Sequence, residues 1–192
     1  MATTQTVPRT VVLFEGRSDS LAFRSLARRR GVDVRALELT DLDGITNLRT
    51  RVSALRSALD VARILGLYDA AEGGYVSRVL VDLGMLEQGA SPESIGFFGC
   101  ERDLEDEVIA AAGPDLVQET LDARGELGRF RVFQGQPAQR DRSIQEQLHR
   151  FAGTAAGRKA RFSADVIDVL PLDRMPRALS ALLDASLSAG GQ

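Results

Sequence analysis

Two periodicities divide the chain. Over its first 113 residues, short apolar runs rich in β-branched residues alternate with segments whose apolar positions recur at helical spacing. Residues 10–14 predict a strand. Ser18 or Asp19 caps a helix running to about Arg30, with Leu21, Phe23, Leu26 and Ala27 on its apolar face and Gly31 as its stop. Residues 34–39 predict a second strand, and Asp43-Gly44-Ile45-Thr46-Asn47 a turn. A helix over 48–59 follows, with Val52, Leu55 and Leu59 on one face. Residues 61–68 predict the third strand, 72–83 a helix, 84–94 a Gly/Pro/Ser-bearing loop and 95–100 the fourth strand. Asp103 caps a helix over 104–112, which Gly113-Pro114 ends. Alternation of this kind is the signature of a parallel α/β sheet flanked by helices.

From Pro114 the pattern becomes mainly helical. Helices are expected over 116–123, 143–152, 158–170 and 176–187, with a short extended piece at 130–133, a polar loop at 134–142 and a loop at 153–157. The organisation expected is a leader (1–9), an α/β core (10–113), a helical extension packed on that core (114–187) and a tail (188–192).

Three acidic stations stand where predicted strands end. Phe14 is followed by Glu15-Gly16-Arg17-Ser18-Asp19, Tyr68 by Asp69-Ala70-Ala71-Glu72, and Cys100 by Glu101-Arg102-Asp103-Leu104-Glu105-Asp106-Glu107. In an open parallel sheet the strand C-termini share one edge, and ligands bind there. Carboxylates gathered on that edge repel one another unless a cation sits among them, and hard oxygen donors favour Mg²⁺ or Mn²⁺. Each acid also has a plainer use. Asp19 and Asp103 suit a helix cap, Asp69 a turn, Glu72 a first helical turn, and part of the 101–107 run a solvated face.

Composition narrows the classes. A net charge of −3 argues against a simple basic nucleic-acid coat, though a basic rim beside an acidic centre is compatible with it. Cys100 is the only cysteine, which excludes a disulfide framework and a thiolate metal site. No apolar run reaches membrane-spanning length and residues 1–9 carry no signal-peptide core, so a soluble cytoplasmic protein is expected. Lys159 is the only lysine in a chain otherwise arginine-based. A compact ammonium that can lose its proton is not replaceable by a planar guanidinium, which singles Lys159 out against the alternative of a plain surface cation.

The ordered set of Glu15-Gly16-x-x-Asp19, Asp69 and Asp103-Leu104-Glu105 after three successive strands, with Lys159 ahead of Arg161-Phe162, resembles the TOPRIM domain. That domain is shared by topoisomerases, bacterial primases, small nucleases and the overcoming-lysogenization-defect (OLD) nucleases, and the likeness is greatest to the OLD type, from about residue 10 to beyond 160. The resemblance implies a Rossmann-like sheet and a nuclease that hydrolyses phosphodiesters of DNA, or of RNA, with Mg²⁺ or Mn²⁺. It implies metal ligands at Glu15, Asp19, Asp69 and Glu105, with Asp103 second to Glu105. Glu15 would be a ligand or a general acid/base, and Lys159 would contact the scissile phosphate. Arg158 and Arg161 would contact the backbone. Thr46 and Asn47 would either hold phosphate or serve only as turn and cap. Two departures stand out. The usual second motif is D-x-D, but Ala71 occupies its second acidic position, leaving Glu72 to reach back. No G-x-x-x-x-G-K-[ST] loop is present, so any ATP dependence would need a separate ATPase. A non-catalytic module that binds nucleic acid or such an ATPase is the alternative. Strand passage is rejected, because the tyrosine it needs sits on another domain in topoisomerases.

Overall fold

The computed structural model describes residues 9–188; the leader residues 1–8 and the tail beyond Ser188 lie outside the described residues. Strands β1 (Arg9–Phe14), β2 (Leu37–Asp41), β3 (Val61–Tyr68) and β4 (Phe97–Gly99) form one sheet in the order β2-β1-β3-β4, every pairing parallel. The helices are α1 (Arg17–Arg29), α2 (Leu48–Arg56), α3 (Gly73–Asp82), α4 (Leu104–Ala123), α5 (Leu127–Gln134), α6 (Ile144–Ala152), α7 (Ala156–Ile167) and α8 (Arg177–Leu187). No helix among the described residues is long and apolar enough to cross a membrane.

Side chains alternate across a strand, so the apolar runs of β1 and β3 feed two cores at once. Val11, Leu13, Ile64 and Phe97 pack with Leu48, Val52 and Leu55 of α2 and Val76, Val79 and Leu80 of α3. Val12, Phe14, Leu65, Leu67 and Phe98 point the other way, into a larger core with α1, α4, α7 and α8. Phe162 and Val166 of α7 and Leu179 and Leu182 of α8 are members of that core. The C-terminal helices therefore complete one layer of the sandwich: α7 lies along α1, and α8 lies against β3 and β4.

The Arg28-Arg29-Arg30 run reads from the sequence as a solvated helix end. It is instead a clasp on the C-terminal layer. Arg29 donates to the carbonyls of Ile167 (2.7 Å) and Leu170, Arg30 pairs with Asp184 at 2.8 Å, and Arg28 pairs with Asp168. Each bond crosses more than a hundred residues of sequence, beyond the reach of local pattern.

Other departures have local causes. β2 starts three residues later than the apolar pattern suggests, because the Arg35 N–H and guanidinium fold back on Asp33 and the Leu37 N–H closes a turn on Val34. α2 stops at Arg56, where the Ser57 hydroxyl donates to the Ser53 carbonyl, and Leu59 is fully exposed rather than on the helix face. β4 is only Phe97–Gly99, since Pro92–Ile95 is a 3-10 turn. Gly113, at φ 75°, breaks α4 where expected, but a second helical stretch follows directly, so the break is a kink. The extended piece expected at 130–133 is helical, within α5. Phe130 is fully buried against Phe151 (ring centroids 5.2 Å apart), Phe133 meets the same ring at 5.5 Å, and Val132 faces solvent. Spacing i, i+3 onto one aromatic partner outweighs the strand preference of the local residues.

Gly66 sets the spacing of β3 and β4. A Cβ there would lie 2.7 Å from Cδ1 of Phe97, which is itself buried. Gly66→Ala is expected to destabilise the protein by about 1–3 kcal/mol, the usual cost of overpacking a filled core. Denaturant unfolding at constant m-value checks it; an unchanged midpoint would show that the Phe97 ring can step aside.

Candidate functional site

The strand order reverses direction between β1 and β3, and the C-terminal edge at such a switch point opens a crevice. A cleft of about 570 Å³ lies there, walled by Glu15, Gly16, Arg17, Ser18, Asp19, Asp43, Gly44, Asp69, Asp103, Glu105, His149, Gly153, Ala156, Lys159 and Ala160. Glu15 is the first residue after β1, and Asp69 the first after β3. Their neighbours are tied to the same edge. Gly44 N–H donates to the Glu15 carbonyl (3.0 Å), Cys100 N–H to the Tyr68 carbonyl (2.9 Å) and Ala70 N–H to the Arg102 carbonyl (2.9 Å). Three acidic stations separate in sequence thus become one wall.

Asp19 lies in the first turn of α1, where its carboxylate accepts the Gly16 N–H at 3.2 Å. It is both cleft wall and helix-terminal acceptor. Gly16 itself has φ −154°, an extended value open to any residue, and nothing lies within 4 Å of where a Cβ would stand. The backbone there makes no demand for glycine.

The carboxylates are crowded and partly desolvated. Asp69 is pushed up to about 7, by burial first and then by the charges of Asp19, Glu15, Asp103 and Glu105. Asp19 is also raised to about 7, by burial and then Glu105, against the opposing Gly16 hydrogen bond. Burial and then Glu72 raise Glu15, while Lys159 lowers it. Glu105 is raised by burial, and its Oε1 is buried with no hydrogen-bond partner. The values for Asp19 and Asp69 mean that these two carry less negative charge near neutral pH than free carboxylates do, unless a cation compensates them.

Asp103 is already occupied. Its Oδ1 accepts the Asp106 N–H at 2.7 Å as the cap of α4, and both oxygens lie 2.9–3.0 Å from Nε2 of His149. A lone histidine in a helical segment, His149 reads from the sequence as a packing or solvent-facing residue. It lines the cleft instead, and nothing in spacing could link it to an acid 46 positions earlier. Asp43, read only as part of a turn, also joins the wall, held at φ 55° in front of Gly44.

Several expected contacts fall elsewhere. Arg158 does not face the cleft: its guanidinium pairs with Glu126, donates to the Phe151 carbonyl (3.1 Å) and lies 3.7 Å over the Phe151 ring. It ties α7 to α6 and to the start of α5, which leaves no free face for a phosphate. Thr46 and Asn47 are outside the wall. Asn47 spends its amide on the carbonyls of Leu42 (2.9 Å) and Asp43 (3.3 Å), so it shapes the Asp43-Gly44 turn, and the Thr46 carbonyl accepts the Tyr75 hydroxyl. Glu72 also stands outside the wall, although its charge reaches Glu15. Lys159, in the first turn of α7, is exposed and faces the acids, while Arg161 opens onto neighbouring grooves. Cys100, Leu104 and Val108 are buried. Among the described residues, no three His, Cys, Asp or Glu side chains are grouped closely enough to hold one ion as they stand.

No protein-family model and no curated protein matches this chain in sequence. Its fold is similar to solved C-terminal regions of OLD proteins. One from Xanthomonas campestris pv. campestris has TM-score 0.64 and 22% identity over 92% of this chain and 93% of that one. One from Burkholderia pseudomallei has TM-score 0.66 and 16% identity over 93% and 96%. The likeness read from the sequence thus holds for the fold across nearly the whole chain.

The crowding has a stability consequence. Asp19 and Asp69 ionise near 7 when folded but near 3.8 when free, so between those values the folded chain holds more protons than the unfolded one. Stability contributed by these groups therefore falls as pH rises through that window. In a chelator at pH 7.5, Asp69→Asn should raise the melting temperature by about 2–4 °C, as a gain near 1 kcal/mol does in a chain of this size. The difference should vanish toward pH 4. A variant no more stable than the parent at pH 7.5 would show that the wall is not electrostatically strained.

Proposed function

We propose that this protein is a divalent-metal-dependent nuclease of the OLD-like TOPRIM type that hydrolyses phosphodiester bonds of DNA. The observation that carries the reading is the convergence of Glu15, Asp19, Asp69 and Glu105 on one cleft at the sheet's switch point, with Lys159 facing them. The donor set is all hard oxygen, and the orphaned Glu105 Oε1 and the raised Asp19 and Asp69 fit a site whose charge a divalent cation balances. Glu15, Asp19, Asp69 and Glu105 would hold Mg²⁺ or Mn²⁺. When bound, such ions activate water and neutralise charge on the phosphoryl oxygens.

The chain's own groups divide the remaining work. Lys159 brings a compact positive charge to the mouth of the cleft, suited to a phosphate oxygen or a departing alkoxide. The Asp103–His149 pair does not add a free ligand. It braces the start of α4 against α6, which holds the backbone carrying Glu105. Asp43 and Gly44 close the opposite rim.

A second reading, a module that binds nucleic acid without cutting it, draws support from Ala71 and from the absence of a preformed three-ligand group among the described residues. A plasmid-nicking assay with Mn²⁺ separates the two. Glu15→Gln and Asp69→Asn should each lower cleavage by at least about a hundredfold, the scale of removing one electrostatic stabiliser from an active site. Glu72→Gln should have a small effect, since Glu72 stands outside the wall. No Mn²⁺-dependent nicking by the folded parent would leave the binding-module reading.

Lys159→Arg preserves charge but not shape. Misplacing a catalytic contact by about an ångström costs on the order of a hundredfold, so the arginine variant should cleave nearly as poorly as Lys159→Ala. Wild-type cleavage by Lys159→Arg would reduce Lys159 to a surface cation.

A further inference from the structure

Two arginine-lined grooves open off the acidic cleft. The first, of about 540 Å³, runs between α1 and α7 and shares Arg17 and Ala160 with the cleft wall. Arg17, Arg24 and Arg28 are spaced i, i+7, i+11 along α1 and line this groove. At about 100° and 1.5 Å per residue they fall within a 40° stripe roughly 16 Å long. Arg161 of α7 and Arg124 at the end of α4 face the same space. Its acids are already matched, Asp165 to Arg124 and Asp168 to Arg28. Arg17, Arg24 and Arg161 are exposed and have no ion-pair partner among the described residues.

The second groove, of about 510 Å³, shares His149 and Gly153 with the cleft and presents Arg102, Arg142 and Arg150. Glu146 is held by the Ser143 backbone N–H (2.8 Å) and hydroxyl (2.9 Å), and Arg102 by Asp106. Arg150 is exposed and unpaired among the described residues.

We infer that these grooves are docking arms for the sugar-phosphate backbone of duplex DNA on either side of the bond that enters the cleft, an inference that rests on the nuclease reading above. An acidic wall in a chain of net charge −3 repels a polyanion, so approach requires positive potential placed locally. Exposed guanidiniums without an ion-pair partner among the described residues, in two grooves continuous with that wall, place it there. Arginine is suited to the task because its fork holds phosphate oxygens in pairs.

Affinity for a short labelled duplex, measured by fluorescence anisotropy in a Glu15→Gln chain across a salt series, tests the arms apart from cleavage. Arg24→Glu combined with Arg161→Glu should weaken binding at least tenfold and flatten the log affinity–log salt slope by about two, near one per lost phosphate contact. Arg150→Glu on the other arm should weaken it about threefold and flatten the slope by about one. Arg51→Glu combined with Arg78→Glu makes the same charge change on α2 and α3, across the sheet, and should alter affinity by less than about twofold. Circular dichroism confirms folding of each. Equal losses for the arm and control pairs, parental binding by the arm variants, or no DNA binding by the Glu15→Gln chain itself would overturn the inference. Parental Glu15 chains are assayed for Mn²⁺-dependent nicking alongside. Arm-dependent binding without nicking by the folded parent would sink the nuclease reading and keep the arms. Nicking together with arm-independent binding would do the reverse.

Discussion

The parallel register between β1 and β3 is the constraint from which the site follows. Val12 pairs with Leu65 and Leu13 with Gly66, so the same register carried forward sets Glu15 beside Tyr68, one residue short of Asp69. Two acids 54 positions apart become neighbours because two apolar strands match. A slip of one residue would turn every side chain of β1 to the opposite core. Gly66 belongs to this constraint, since only a residue without a side chain lets Phe97 seat against β3.

The assembled wall opposes folding. Burial and neighbouring charge hold Asp19 and Asp69 far above the usual carboxylate range, so the cleft is a local cost borne by the rest of the molecule. The large core shared by the sheet, α1, α4, α7 and α8 offsets it, and the Arg28–Arg30 clasp fixes the C-terminal layer in place. The layer that carries Lys159 is thus bound to the helix that carries Asp19.

Arginines divide by their partners. Arg158 is spent on Glu126 and the Phe151 ring, and Arg29 on backbone carbonyls of the C-terminal layer. Arg17, Arg24, Arg150 and Arg161 have no such use among the described residues and stand in grooves beside the cleft. Lys159 stands exposed one residue after the most tightly held of them. That adjacency is a division of labour along one helical turn: the arginine anchors the helix start and the lysine projects from it.

Much of the fold was legible because its signals are local. Apolar runs ending in acids, helices stopped by Gly31 and broken at Gly113, and the helix expected from Ser143 to Ala152 depend on residues a few positions apart, and there the structure follows the pattern closely. The carboxylates Glu15, Asp19, Asp69 and Glu105 were legible for the same reason, since strand ends on one sheet edge must meet. The rest depended on partners that no short window contains. α5 is helical because Phe151 waits for Phe130 and Phe133. His149 belongs to the cleft because α6 packs beside the start of α4, and Arg158 leaves it because Glu126 is nearer. The sequence by itself determined which backbone segments form strands and which acids end them, because propensity and periodicity act over a few residues. Only the tertiary structure decided which charges meet, because the energy of a charge depends on what is packed beside it and how much water is left.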